Sequence, residues 1–583
     1  MKYAQGIKNI NSVSYAVTEL GGINKRGNAR NGALYSATDM SSRAFPYLCP
    51  RARRATVRKL SSPDGLHGDD TLAYVDGGRL YYGGLEISGL TLSDGEKDIL
   101  KLGKYLLIFP DEVYFNTANE SDFGAMSVGF TAQNGRVCCV DTQLNEITYA
   151  IVTKEPDGAS VGDWCAIQGS DGALRLKRFD GYVWNETETL LKLSASGIGA
   201  SFRDGDTVEC NGLDGISTGF RIVKRSEDAL YFEGTVSAAV SLGAFGVSRT
   251  VPIFDCQTVS GGRLYGVRRG RDKSGNLVCR IYASAENDPL IFSGLGGGAM
   301  MDIDIAGAFT GICDYLGSAV AFSESDIVET RIKNGVLIGT VIKGYGLESG
   351  AKRSIASAGG ALYYKSSVGV CIYDGSYPER ISDCLGGGVS VAEYGSPAIF
   401  ASGKYYIKLN DRELGSAIYV YDTENGLWSR ETDPGVKHFA KRRENVYALL
   451  ESGELILLDS EQADENELTY CSGSGYPIIE EDFAWSFETA EIGSDNLKSV
   501  CPVRLALRLV KNKDSEVRIG VIYDGQAVCG ETVVGRETFG AVSVPIPLKR
   551  ADTFRLRISG SGECVFKGFA VQYRAGGEAK AWR

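Results

Sequence analysis

Histidine is almost missing from this chain: His67 and His438 are the only two in 583 residues. A nucleophilic triad or an imidazole base therefore has little material to draw on. No GxSxG stands in a strand–turn–helix context. Cysteine motifs are missing as well. The 14 cysteines fall singly apart from Cys138 and Cys139, no CxxC occurs, and neither histidine lies near a cysteine cluster. That pattern argues against a zinc site. There is no apolar run of about 18 residues, and the opening MKYAQGIKNINS has no apolar signal-peptide core. The expectation is a chain neither secreted by a signal peptide nor membrane-spanning, made in the cytoplasm with reduced thiols. Basic charge is in deficit: the net charge is −11, against the basic face of a conventional nucleic-acid-binding domain. For this length the charge reads as ordinary solubility.

Glycine, by contrast, is abundant, with 74 residues against 14 prolines. It stands as singles and doublets between β-like runs, which is turn chemistry. From Gly317 to Asp459 one unit is written four times: GSAVAFSESDIVETR at 317, GALYYKSSVGVCIYDG at 360, GKYYIKLNDRELGSAIYVYD at 403 and NVYALLESGELILLD at 445. The steps are 43, 43 and 42 residues. Each copy is a turn residue, an apolar-aromatic run, a polar turn and a second run, hence a β-hairpin. A period of about 40–50 residues is that of propeller blades, and hairpins with one greasy face must stack to bury it. The spacing predicts a β-propeller of six or seven blades.

The remaining segments are placed around that ring. Residues 1–60 carry no sustained period and two basic clusters, at 25–30 and 51–54; they read as an N-terminal arm that grips a neighbouring subunit or the propeller rim, or packs on its own domain. Blade-like runs occur in 61–130 (GGRLYYGGLEISG, GKYLLIFPDEVYFNT), with Phe109-Pro110-Asp111-Glu112 as a turn. Residues 131–250 hold no blade copy, and SFRDGDTVECNG with FRIVKRSEDALYFEG predicts a small β-barrel or sandwich inserted in a propeller loop. The propeller resumes at 251–465, beginning with GGRLYGVRRG; a 55-residue step from Gly262 to Gly317 leaves room for a long loop at GLGGGAMM. After an acidic connector, EQADENELTY, residues 466–583 alternate polar and apolar residues, as in Arg504-Leu505-Ala506-Leu507-Arg508-Leu509. Period two predicts a C-terminal antiparallel β-sandwich. The fold class is all-β, with very little helix.

Few residues carry chemistry. Asp302 and Asp304, two apart in MMDIDIAG, would share a strand face and could bind a cation or line a channel; a polar strand edge is the plainer reading. Carboxylate pairs occur in propeller glycosidases, but S-x-D-x-G-x-T-W boxes are absent. His438 reads as structural. The triple glycines at 296–298 and 386–388 lack a following Lys-Ser/Thr or helix, so they do not read as phosphate cradles. Trp428, after Tyr421-Asp422, resembles the tryptophan of a kelch blade, which packs against the next blade; an exposed sugar platform is the alternative. No catalytic, cofactor-binding or metal-ligating residue is assigned, and no enzymatic step or cofactor is expected.

Several stretches resemble the β-propeller tail proteins of tailed bacteriophages and prophages of Gram-positive bacteria. They are NGALYSATDMSSRAFPYLCPR (31–51), LLIFPDEVYFNT (106–117), GGRLYGV with CRIYASAENDPLIF (261–292), GAFTGICDYLGSAVAFSESDIVE (307–329), GALYYKSSVGVCIYDGSYPERISD (360–383) and YVYDTENGLWSRE (419–431). FRLRISGSGECVFKGFAVQYR (554–574) resembles the sheet that closes such proteins. The resemblance implies a virion structural protein of the tail, similar to the nozzle proteins of short tails, in a ring of copies of itself, a hexamer for instance, around the DNA exit channel. Portal, adaptor or other tail proteins would be its partners. DNA would pass without specific binding, which an acidic lumen would favour. A receptor- or glycan-binding tail protein touching the host surface is the alternative, and a carbohydrate-active propeller stands last.

Overall fold

A computed structural model describes residues 12–26, 32–170, 173–212, 219–271, 274–461, 463, 468, 475–493 and 498–576. Most of the acidic connector and residues 27–30 of the first basic cluster lie outside the described residues. The chain is a β-propeller with an inserted β-domain and a C-terminal β-sandwich. Seven four- or five-stranded sheets are blades, their strands hydrogen-bonded in chain order except that Ala55–Lys59 follows the third strand of blade 7. Blade 1 runs over 63–91, blade 2 over 98–125, blade 3 over 256–303, blade 4 over 311–343, blade 5 over 356–380, blade 6 over 389–432 and blade 7 over 436–457. Two compact units divide the chain: Met1–Asp98, Phe322–Ile327 and Ile342–Arg583 form one, Ile99–Ala321 and Val328–Val341 the other.

The four repeated hairpins are the second and third strands of blades 4 to 7, such as Lys404–Asp411 with Gly415–Asp422 in blade 6. These strands bury on both faces: Ala361–Ser366 is buried at every position, so their apolar runs are continuous rather than alternating. First strands of successive blades pack on one another within each unit, as Val436–Arg442 does on Pro63–Gly68; they are the inner strands. The extra residues between Gly262 and Gly317 form a loop at 284–298, with a 3-10 turn at Gly294–Gly296, while Ala299–Ile303 of the glycine-rich stretch is the fourth strand of blade 3.

Residues 1–60 require a correction. They carry no sustained period, yet Ser12–Val17 pairs with Cys564–Ala575, Leu34–Thr38 pairs with Ala484–Thr489, and Ala55–Lys59 pairs with Glu454–Leu457 as the fourth strand of blade 7. The arm is folded into its own chain. These strands are five or six residues long, too short for a sustained period, and long-range pairing supplies their order. A buried ion cluster locks them. Arg51, 5% exposed, holds Asp39 at 2.8 Å and Glu480 through two bonds at 2.7 and 2.8 Å, and covers the Phe483 ring at 3.8 Å. Arg54 reaches Glu431 at 3.1 Å.

The sandwich places Ser12–Val17, Cys564–Ala575, Val500–Lys511 and Thr538–Val544 in one sheet. Leu34–Thr38, Ala484–Thr489, Thr553–Ser561, Glu516–Tyr523 and Val528–Val534 form the other. Leu505, Leu507 and Leu509 face a core with Trp485, Leu556 and Phe566, while Arg504 and Arg508 are exposed. Arg555 departs from the alternation: it is buried against the Tyr35 ring at 3.8 Å and ion-paired with Glu488.

The inserted domain leaves blade 2 after Phe123–Ala125 and returns before blade 3, an excursion that starts at Val128 rather than 131. An eight-stranded sheet and a four-stranded one enclose a core that includes Val137, Cys139, Leu191, Phe232 and Val247. Adjacent Cys138 and Cys139 are both buried because they point to opposite faces, into separate apolar clusters. Arg249 clamps the stem, donating to the carbonyls of Ala125 and Met126 at 3.1 and 3.0 Å and to Asp206 at 2.5 Å.

Candidate functional site

Three short charged pairs stand immediately before or at the start of inner strands: Glu96 with Asp98, Lys352 with Arg353, and Lys437 with His438. Folding brings all six together. Glu96 accepts from His438 Nε2 at 2.8 Å, Lys437 Nζ at 2.7 Å and Arg353 Nη1 at 2.9 Å. Asp98 accepts from Arg353 at 2.7 Å and Lys352 at 2.6 Å. Lys437 also donates to the Pro63 carbonyl at 2.6 Å. The Tyr394 ring lies 5.3 Å from Lys437 and 5.6 Å from Lys408, and Lys408 meets Asp433 at 3.1 Å. Tyr394 and Ser396 hold left-handed backbones, with φ of 58° and 53°.

The electrostatics follow from this geometry. Burial works against charge on Glu96, but hydrogen bonds from His438, Lys437 and Arg353 outweigh it and hold the carboxyl at about 2. Burial also opposes ionisation of Asp98, and Arg353 and Lys352 reverse that, so its value lies below the ordinary one. His438 is 6% exposed, and burial lowers its value despite the Glu96 bond; at neutral pH it is an uncharged donor. Both carboxylates are thus ionised and saturated with donors. General-acid chemistry needs one carboxyl raised and its neighbour low, and this cluster lowers both. What it does is fasten the segment after blade 1 to the entry segments of blades 5 and 7.

Among the residues weighed from sequence, His438 is the one that belongs to the cluster. His67 lies half-buried on Pro63–Gly68. Asp302 forms a two-point ion pair with Arg280 at 2.5 and 2.8 Å, and Asp304 falls just past the strand end. No group of three or more His, Cys, Asp or Glu able to hold a metal occurs among the described residues. Trp428 is 1% exposed and donates to the Ile381 carbonyl at 3.0 Å, so it packs back on blade 5 rather than forward, and it is no sugar platform. Gly298 of the first triple glycine lies so close to the Phe292 backbone that a Cβ there would sit 2.3 Å from it; the need is close packing. The sequence signal for the cluster is pairs of charged or imidazole side chains just ahead of, or at the start of, a blade's first strand.

No family model matches the chain, and no curated protein does. Among solved structures, similarity extends to the exo-β-1,3-galactanase Pc1,3Gal43A of Phanerochaete chrysosporium, with 12% identity over 54% of this chain and 94% of that one, at a TM-score of 0.20. BamB of Moraxella catarrhalis shares 10% identity over 72% of this chain and 99% of its own, at a TM-score of 0.29. Dipeptidyl peptidase 4 of Porphyromonas gingivalis shares 8%, covering 82% and 60%, at 0.24. Similarities of this size bear on neither activity nor partners.

Proposed function

We propose that this chain is a non-enzymatic structural protein of a tailed-bacteriophage virion, a nozzle- or tube-like tail component that assembles with copies of itself around the DNA exit channel. The sequence resemblance suggests the setting. The observation that carries an assembly role is the apolar tip of the inserted domain: Tyr182 is 93% exposed, with Val161 at 74% and Val183 at 55%. Val161 lies against the turn at Gly181, so the three form one patch, beside a Phe179–Trp184 ring pair 5.3 Å apart. A contiguous apolar patch on a polar surface marks a protein partner. The paired charges of the blade cluster fit a scaffold better than a reaction centre.

Immuno-electron microscopy of phage particles, with antibody against residues 128–249, tests the setting. Label in a ring on the tail axis supports the proposal, and label on peripheral fibres points to receptor binding. Absence of the chain from the particles by mass spectrometry overturns both. Native mass spectrometry of the purified chain tests the assembly, with Tyr182→Ser and Val161→Ser together expected to weaken the oligomer.

A further inference from the structure

A cleft of about 470 Å³ opens between the outer parts of blades 6 and 7, with residues 41–52 of the N-terminal segment along one side. That volume falls within the range of small-molecule sites, about 300–1,000 Å³. Its walls mix donors and acceptors that the protein leaves unused. Glu431 is 8% exposed; its Oε2 accepts from Arg54 at 3.1 Å, while Oε1 has no hydrogen-bond partner among the described residues. The Tyr406 hydroxyl and the Asn445 side-chain amide line the cleft and have no partner there either. Burial, ahead of the nearby carboxylates, holds the Tyr406 proton more firmly than usual, so the phenol is a standing donor. Lys404 uses one of its three N–H groups, on Ser41 Oγ at 3.2 Å. Phe45, 38% exposed, supplies an apolar lip.

The chemistry of the walls narrows the occupant. An apolar ligand would strip water from Glu431 Oε1 and offer it no donor, which is costly. Five carboxylates against three cations line the cleft, which repels phosphate and acidic sugars. A bare metal ion would meet the Lys404 ammonium. A polyhydroxylated ring satisfies every wall: its hydroxyls donate to Glu431 and Asn445, accept from Tyr406 and Lys404, and its C–H face can rest on Phe45. We infer that the cleft between blades 6 and 7 is a binding site for a neutral sugar residue. The inference stands apart from the proposed place in a virion, since it rests on this cleft alone.

Saturation-transfer NMR on the full chain provides the test, with methyl α-glucopyranoside, methyl β-galactopyranoside and N-acetylglucosamine as probes and glucuronate as the acidic control. Transfer to at least one neutral sugar and weaker or no transfer to glucuronate is expected. Tyr406→Phe and Asn445→Ala should each weaken that binding by about five- to tenfold, the effect of one lost hydrogen bond, with the thermal midpoint unchanged within a degree or so, since neither group bonds to the protein. Transfer to no sugar, transfer to glucuronate as strong as to the neutral probes, or binding unaltered in both variants overturns the inference.

Discussion

At the scale of single residues, the charges that matter are those that folding has fully engaged. Glu96 serves three donors at once. Glu96→Gln removes the charge from a site about one-third exposed, so the expected loss is about 1–2 kcal/mol rather than the larger figure for a sealed pair. Urea unfolding at neutral pH measures it. The pH dependence has a definite sign. The carboxyl titrates at about 2 in the fold against an ordinary 4.5, so its stabilisation is complete above pH 4.5 and disappears as the pH falls toward 2. The gap between wild type and Glu96→Gln should therefore narrow below pH 4.5 and close by about pH 2. His438 acts in the same direction from higher up. Its value is lowered from 6.5, so unfolding takes up a proton first and stability starts to fall below pH 6.5; His438→Gln should flatten the slope between pH 6.5 and 5. Trp428 is an uncharged residue whose role is packing plus the one indole bond to Ile381. Its ring lies 4.9 Å from Tyr421, and the Trp428 carbonyl accepts from Ile23 at 2.7 Å. Trp428→Ala should cost about 3–5 kcal/mol by thermal or chemical unfolding.

Among elements, the N-terminal strands are the consequential ones, because each completes a sheet begun hundreds of residues later. Ala55–Lys59 gives blade 7 its fourth strand, and Leu34–Thr38 edges a sandwich sheet. Arg51 is the fastening between them, buried against Asp39 and Glu480. Replacing it by Met leaves Asp39 without its ion-pair partner in a buried site, and breaking such a pair costs about 3–5 kcal/mol. Limited proteolysis should then cut first within 12–60, where wild type resists. The blade hairpins were readable because strands two and three of blades 4 to 7 repeat at 42–43 residues. Their first and fourth strands were not. Ala356–Ala358 and Glu379–Arg380 are three and two residues long, with no periodic content, and their place is decided by neighbours.

For the molecule as a whole, the inserted domain tests how modular the chain is. It leaves and returns at one point: Val251 N donates to Ser127 Oγ at 3.0 Å, and Arg249 closes the stem onto Ala125 and Met126. Ends so close can be joined by a short loop at little entropic cost. Replacing 128–249 with a few glycine and serine residues should leave a soluble protein with a cooperative melt, seen by circular dichroism, and should abolish any oligomer that depends on the Tyr182 tip. Loss of folding would show instead that the insert's core is needed by the propeller.

Some of this architecture was set by sequence alone. Repeat spacing fixed the propeller, period two in 500–575 predicted the sandwich, and the break in rhythm after blade 2 marked the insert, because each is a pattern within a few consecutive residues. Only the tertiary structure decided the rest. The charged cluster joins Glu96 to Arg353 and His438, and the cleft joins residues 41–45 to Tyr406, Glu431 and Asn445. Such sites are built from pairs hundreds of residues apart, and a chain's local periodicity carries no record of which distant carboxylate a given cation will meet. Burial decides likewise whether a group is saturated, like Glu96, or left with an open oxygen, like Glu431.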